Sequence, residues 1–153
     1  MQQVSLLPTM IVNPDTCTGC RMCVLMCSLS RTGQFSPSGA RVAVIKRAAA
    51  VWKDVPLICH QCADAPCAAA CPAAAISRDG ATGAVVVDQE ACNLCELCIS
   101  TCPHQAIFVQ EGKIAICDLC GGKPVCVRYC SYGTLQYPLG EPEADEEDDL
   151  ESQ

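Results

Sequence analysis

The chain has 153 residues, enough for one compact domain or two very small lobes. It holds 16 cysteines but only 2 Phe, 3 Tyr and 1 Trp, which excludes a fold built on ordinary side-chain packing and leaves a disulfide scaffold or a chain built around metal. The formal charge is −7, yet 8 of the 17 acidic residues fall in Glu141–Gln153; the rest has 10 Lys and Arg against 9 Asp and Glu, which excludes a basic nucleic-acid-binding body.

Met1–Asp15 has no Lys or Arg and no twin-arginine pair, so it does not read as a signal peptide. No apolar run reaches the roughly 18 residues of a membrane span, so no direct membrane insertion is expected. A cytoplasmic location follows as the expectation, and reducing conditions there weigh against disulfides.

The first cysteine group is Cys17, Cys20, Cys23 and Cys27. Residues 28–58 form the longest gap. They carry a surface loop at Ser36-Pro37-Ser38-Gly39 and a strand signal at Arg41–Lys46, and are expected to hold a strand pair. The second group is Cys59, Cys62, Cys67 and Cys71. After it, Ile76–Asp79 and Ala84–Asp88 flank a Gly80–Gly83 turn and predict a hairpin. The third group is Cys92, Cys95, Cys98 and Cys102, followed by a second predicted hairpin, Ile107–Gln110 and Lys113–Ile116, around Glu111-Gly112. The fourth group is Cys117, Cys120, Cys126 and Cys130. Short helices are predicted after the third and fourth cysteines of each group. Glu141–Gln153 reads as disordered on its own, with a neighbouring subunit as the agent that would order it.

Each group opens with C-x2-C and closes with C-x3-C; only the middle gap varies, at two, four, two and five residues. After three of the groups a small residue and then a large aliphatic one recur, at Ile76, Ile107 and Leu135. Such an aliphatic is placed to shield a cluster from water. Cys92–Pro103 fits the C-x2-C-x2-C-x3-C-P run of two-cluster bacterial ferredoxins without exception, and there the fourth cysteine serves the other cluster. Cys17–Cys27 lacks only the proline, and Cys59–Pro72 widens the middle. Sixteen cysteines then divide into four [4Fe–4S] clusters with none left over. Zinc ribbons do not need a third cysteine at i+6, so a zinc-binding interaction module is the weaker alternative.

Adjacent pairing of the groups is the simplest arrangement. Two features favour nesting. The second and third groups share the C-P ending across a gap of 20 residues, and the first and fourth both lack it. The predicted fold class is α+β, with tandem nested ferredoxin-like units of short hairpins and helices wrapped around clusters. The outer lobe is 1–58 with 103–140, the inserted inner lobe is 59–102, and 141–153 is the acidic tail.

The motifs Cys17-Thr18-Gly19-Cys20-Arg21-Met22-Cys23, Cys59-His60-Gln61-Cys62, Cys92-Asn93-Leu94-Cys95-Glu96-Leu97-Cys98 and Cys117-Asp118-Leu119-Cys120 span most of the chain. In them the sequence resembles the four-cluster ferredoxin-type subunits of molybdenum and tungsten oxidoreductases, the group of the dimethyl sulfoxide reductase iron–sulfur subunit. Among these it looks most like the small subunits of tungsten aldehyde oxidoreductases. The resemblance implies nested ligand sets: Cys17, Cys20, Cys23 with Cys130; Cys117, Cys120, Cys126 with Cys27; Cys59, Cys62, Cys67 with Cys102; and Cys92, Cys95, Cys98 with Cys71. It also implies a non-catalytic electron-transfer subunit. Its partners would be a molybdenum or tungsten catalytic subunit and a flavin subunit, ferredoxin or other acceptor.

A second reading is a subunit that self-associates to extend its chain of clusters. His60 and His104 sit beside cysteines and read as packing or surface residues rather than ligands. Trp52 reads as a core or partner contact. Arg21 and Arg128 are placed either to temper cluster charge or to face solvent. Each oxidised cluster with four thiolates adds about −2, so a loaded chain would carry roughly −15 and call for a basic docking partner.

Overall fold

In the computed structural model, residues 9–47 and 53–138 are described. Trp52 and the acidic tail lie outside them. The elements are short because the cysteine loops leave little chain between them. In order they are β1 (Ile11–Val12), α1 (Met22–Thr32), β2 (Ala43–Arg47), β3 (Lys53–Leu57), α2 (Pro66–Ala69), β4 (Ile76–Arg78) and β5 (Val85–Val87). There follow α3 (Leu97–Thr101), β6 (Phe108–Gln110), β7 (Lys113–Ala115), α4 (Val125–Arg128) and β8 (Leu135–Gln136), with 3-10 turns at Pro14–Thr16, Pro37–Gly39 and Leu119–Gly122.

The strands make four separate antiparallel pairs, β1 with β8, β2 with β3, β4 with β5, and β6 with β7. The two hairpins expected from the Gly-containing turns form in register, Ile76 opposite Val87 and Phe108 opposite Ala115. The strand pair expected in residues 28–58 forms as well, Ala43 opposite Leu57. β1 and β8 bring the two ends of the described chain together, Val12 opposite Leu135.

The helices sit differently from the expectation. Each spans the third cysteine of its group, and α2, α3 and α4 stop before the fourth. Only α1 runs on, to a left-handed Gly33 whose amide caps Leu29. Helices of four or five residues are far too short to persist alone. They form where the chain winds inward around Cys67, Cys98 and Cys126, all of them buried. After the fourth cysteine the chain turns instead, through residues of positive φ at Ala74, Gln105 and Gly133.

The core falls into two clusters. One gathers Met10, Val24, Val42, Ile58, Leu119 and Leu135 around Cys23, Cys27, Cys117 and Cys126. The other gathers Ile76, Val85, Ile107, Ile114 and Ile116 around Cys67 and Cys98. The three aliphatics five residues after a group's last cysteine are thus buried, and each contributes on the order of 1.5–3 kcal/mol by leaving water. Among the described residues no helix is long and apolar enough to cross a membrane.

Candidate metal centres

All sixteen cysteines are free thiols. Three pockets are each lined by four of them. The first holds Cys17, Cys20, Cys23 and Cys130, with Val44, Pro56 and Leu135 in its wall. The second holds Cys59, Cys62, Cys67 and Cys102, with Val85 and Ile107. The third holds Cys71, Cys92, Cys95 and Cys98, with Ile76, Val87 and Ile114. In a fourth set, Cys27, Cys117 and Cys126 share the first core cluster and Cys120 lies within electrostatic reach of all three. Among the described residues no three Cys, His, Asp or Glu side chains converge on a point that would hold a single metal ion.

Local backbone shapes these pockets. The residue before the second cysteine has positive φ in every group: Gly19, Gln61, Leu94 and Leu119. Only Gly19 is suited to it by type. For the others the left-handed conformation costs about 1–2 kcal/mol each. Successive amides in such turns point into one concavity and favour negative charge there, as cluster thiolates and sulfides require. Amides also reach individual sulfurs: Ala75 N–H donates to Cys71 Sγ at 3.3 Å, and Arg41 N–H to Cys27 Sγ at 3.3 Å.

Without a positive core, these thiols resist ionisation. Burial, reinforced by neighbouring thiols, pushes Cys23 and Cys117 up to about 12 and Cys59 up to about 11, and raises Cys126 further. Cys130 is the exception. Burial works to raise it, but amide hydrogen bonds from Leu135 and Thr134 outweigh that and leave it below the ordinary value. Four crowded soft thiols per site, with aliphatic walls and inward amides, fit an iron–sulfur core that supplies the missing positive charge.

Neighbouring quartets lie within electrostatic reach of one another through particular pairs: Cys126 with Cys23, Cys117 with Cys59, and Cys98 with Cys67. That links the quartets in a line, with those of Cys20 and Cys95 at the two ends. Cys20 and Cys95 are also the two exposed cysteines of the sixteen.

Several residues at the sites were not evident from motif spacing. Gln61 is fully buried; its Nε2 donates to the Cys117 carbonyl at 2.7 Å, and its Oε1 accepts from Val85 N–H at 2.8 Å. Arg31 and Arg41 converge on Asp118 beside Cys117. His60 and His104 stack with ring centroids 3.7 Å apart, in the wall of the second pocket. Burial and then His104 hold His60 below the usual imidazole value.

Charge is divided between two parts of the chain. Residues 59–116 carry two Lys and Arg against six Asp and Glu, whereas 1–58 with 117–140 carry eight against three.

Pockets lined by cysteine quartets and shielded by aliphatics mark an iron–sulfur protein of the electron-transferring class. The chain belongs to the family of 4Fe-4S dicluster domains, which matches residues 50–139. It is similar to the polyferredoxin-like subunit of aliphatic sulfonate oxidoreductase from Pyrococcus furiosus, 43% identical over 78% of this chain and 69% of that one. It is also similar to the electron transport protein HydN of Escherichia coli, 33% identical over 78% and 81%. A third relative is the beta subunit of NADH-dependent phenylglyoxylate dehydrogenase from Aromatoleum evansii, 36% identical over 84% of this chain but only 30% of that subunit.

Proposed function

We propose that the chain is a four-cluster wire: an electron-transfer subunit between a catalytic molybdenum or tungsten subunit, of the aldehyde-oxidising kind, and a flavin subunit or ferredoxin-like acceptor. Four bound [4Fe–4S] clusters would supply one-electron transfer. The nested sets are the proposed ligands, with Cys17, Cys20, Cys23 and Cys130 at one end and Cys71, Cys92, Cys95 and Cys98 at the other. The observation that carries this reading is the chain of neighbouring quartets, with an exposed cysteine in each of the two end quartets and none in the two between. In it the protein holds each site dry with Leu135, Ile107, Ile76 or Leu119, and aims amides at the sulfurs. The names of the relatives from Pyrococcus furiosus and Aromatoleum evansii support a catalytic oxidoreductase as partner. The outer lobe, 1–58 with 103–140, and the inner lobe, 59–102, are then the two halves of the wire, in the α+β nested ferredoxin-like arrangement.

Iron and sulfide analysis with low-temperature electron paramagnetic resonance of anaerobically purified protein is the test. Sixteen iron atoms per chain, four for each of four clusters, are expected. Zinc without reducible iron would sink the reading. Cys27→Ser and Cys120→Ser should disturb one and the same signal. If Cys27→Ser instead disturbs the signal altered by Cys20→Ser, the nested ligand sets are wrong.

The division of charge favours a second reading, self-association that joins the acidic end of one copy to the basic end of the next. Light scattering of the loaded chain at low salt tests it, and a strict monomer at every concentration would reject it.

A further inference from the structure

The fourfold repeat sets one residue of each group just before its second cysteine: Gly19, Gln61, Leu94 and Leu119. Leu94 and Leu119 share a left-handed backbone, at φ 57° and 59°, yet they meet opposite surroundings. Leu119 is 0% exposed, inside the first core cluster, and Gln61 is 1% exposed and tied to Cys117 of the neighbouring quartet. Leu94 is 42% exposed, and Leu97, three residues on, is 48% exposed. Between them stands Cys95, itself exposed. In the two middle quartets the rest of the chain covers this turn, whereas at the Cys95 end the turn is bare.

An isolated chain gains nothing from leucine in such a place. Left-handed backbone disfavours it, and glycine would relieve that, as Gly19 does in the first group. The tip is nevertheless held in shape. Asn93 Oδ1 accepts the Cys95 amide at 3.2 Å, and α3 starts from Glu96, also left-handed at φ 60°. Two leucines on a fixed tip make an apolar centre. The stretch from Asp79 to Gly112 has no Lys or Arg, and Asp88, Glu90 and Glu96 stand exposed in it on either side of Cys92. Among the described residues that line the pocket of Cys71, Cys92, Cys95 and Cys98, Glu96 is the only acidic or basic side chain apart from the cysteines. The Cys20 end differs. Met22 and Tyr132 are exposed there, but the rim is mixed, with Arg21 and Lys53 against Asp15 and Asp54, and selects no one sign of partner.

We propose that Leu94 and Leu97 are the apolar centre of a docking surface for a separate redox protein whose contact face carries Lys or Arg around an apolar patch. That protein covers the Cys95 turn as the chain itself covers Leu119. An apolar centre within a charged rim suits such an interface, the centre excluding water and the charges setting orientation and encounter rate. A second copy of the chain is the poorer cover, since its Cys20 end offers the mixed rim. The surface stands on exposure and charge; only its use as an electron port rests on the four-cluster reading.

The probe is zinc-substituted cytochrome c, a small redox-inert protein with lysines around an apolar edge, and its lysine-acetylated form is the control. Amide hydrogen exchange of the cluster-loaded full chain is followed with and without each, at about 20 mM and about 500 mM salt, where screening differs several-fold. Several-fold slower exchange is expected at residues 93–97 with the basic probe at low salt, less at high salt, and none with the acetylated form. Leu94→Gly, which suits the left-handed backbone, should lower the protection several-fold, and so should Glu90→Gln with Glu96→Gln. No slowing with the basic probe, slowing at residues 18–22 instead, or unchanged protection in these variants overturns the proposal. So does protection of residues 93–97 that rises with the chain's own concentration in the absence of probe, which would make a second copy the cover. Iron and sulfide are measured on the same samples. Their absence would sink the wire and leave the exchange comparison to decide the surface.

Discussion

Arg41 is joined to Asp118 across 77 positions of sequence, Nη1 donating to Oδ2 at 3.1 Å. The same nitrogen donates to the Ile116 carbonyl at 2.8 Å, and the Arg41 amide donates to Cys27 Sγ. Arg31 donates to both oxygens of Asp118, at 2.9 and 3.1 Å, and Asp118 accepts the Cys120 amide at 3.2 Å. Two guanidiniums and one carboxylate therefore leave one net positive charge beside the Cys27, Cys117, Cys120 and Cys126 quartet. Burial works to raise the Asp118 carboxyl, but the two arginines outweigh it and hold it below the usual range.

A positive charge favours the reduced, more negative state of a nearby centre. Arg41→Gln is expected to lower the reduction potential of the cluster beside it by about 59 mV, tenfold in its electron occupancy, and to leave any other cluster in place. Asp118→Asn keeps an acceptor for Cys120 and should shift the same centre upward. A redox titration followed by electron paramagnetic resonance reads both. A uniform shift of every centre would show that the network acts on the fold and not on one site.

Gln61 ties the loop of the Cys59 pocket to Cys117 of the next quartet and to β5. Gln61→Leu leaves a buried carbonyl and a buried N–H without partners, at about 1–3 kcal/mol each. The loaded variant is expected to bleach at lower guanidinium concentration and lose iron faster. Gln61→Glu retains the acceptor for Val85 but puts a carboxylate oxygen against the Cys117 carbonyl, so it should not rescue.

These two networks mark where the sequence stops being readable. Ligand spacing is local, so the cysteine groups, the glycine hairpins and the buried Ile76, Ile107 and Leu135 could be placed from short stretches of chain. Gln61 lies between two cysteines and looks like a polar loop residue; only the folded chain shows what faces it. Arg41 and Asp118 carry no spacing signal at all. The helices were misplaced because their short lengths follow from winding around the third cysteine, not from any amphipathic period. Left-handed Leu94 and Leu119 have no turn propensity, so the pocket overrides their type.

The turn after the fourth cysteine supplies a matched set of substitutions. Ala74 and Gln105, at φ 50° and 51°, are exposed, and Gly133 holds the equivalent position at φ 62°. Ala74→Gly or Gln105→Gly relieves about 1–2 kcal/mol of left-handed strain and adds back part of that as unfolded-chain entropy. A net gain of a few tenths to about 1 kcal/mol is expected, with Gly133→Ala losing a similar amount. Thermal or guanidinium unfolding of the loaded protein under anaerobic conditions measures it. Loss of stability in both glycine variants would mean the turns are not strained.

Removing iron tests what the thiols contribute by themselves. In the folded, metal-free chain Cys59 is held near 11 and Cys23 and Cys117 near 12, above the ordinary 9.0, chiefly by burial. An unfolded chain releases these protons near 9, so it binds fewer of them than the folded chain at higher pH. Their contribution to stability is therefore complete below pH 9 and is lost as pH rises through about 12. Chelated protein is expected to lose helical and strand signal in circular dichroism more readily as pH climbs through that window. Cluster-loaded protein, whose thiolates are already committed to metal, should lack this alkaline transition. Reconstitution must strip the same protons, so cluster uptake by chelated protein should speed up as pH rises from 7 to 9. A loaded and a chelated chain with the same alkaline midpoint would mean that the buried thiols do not govern it.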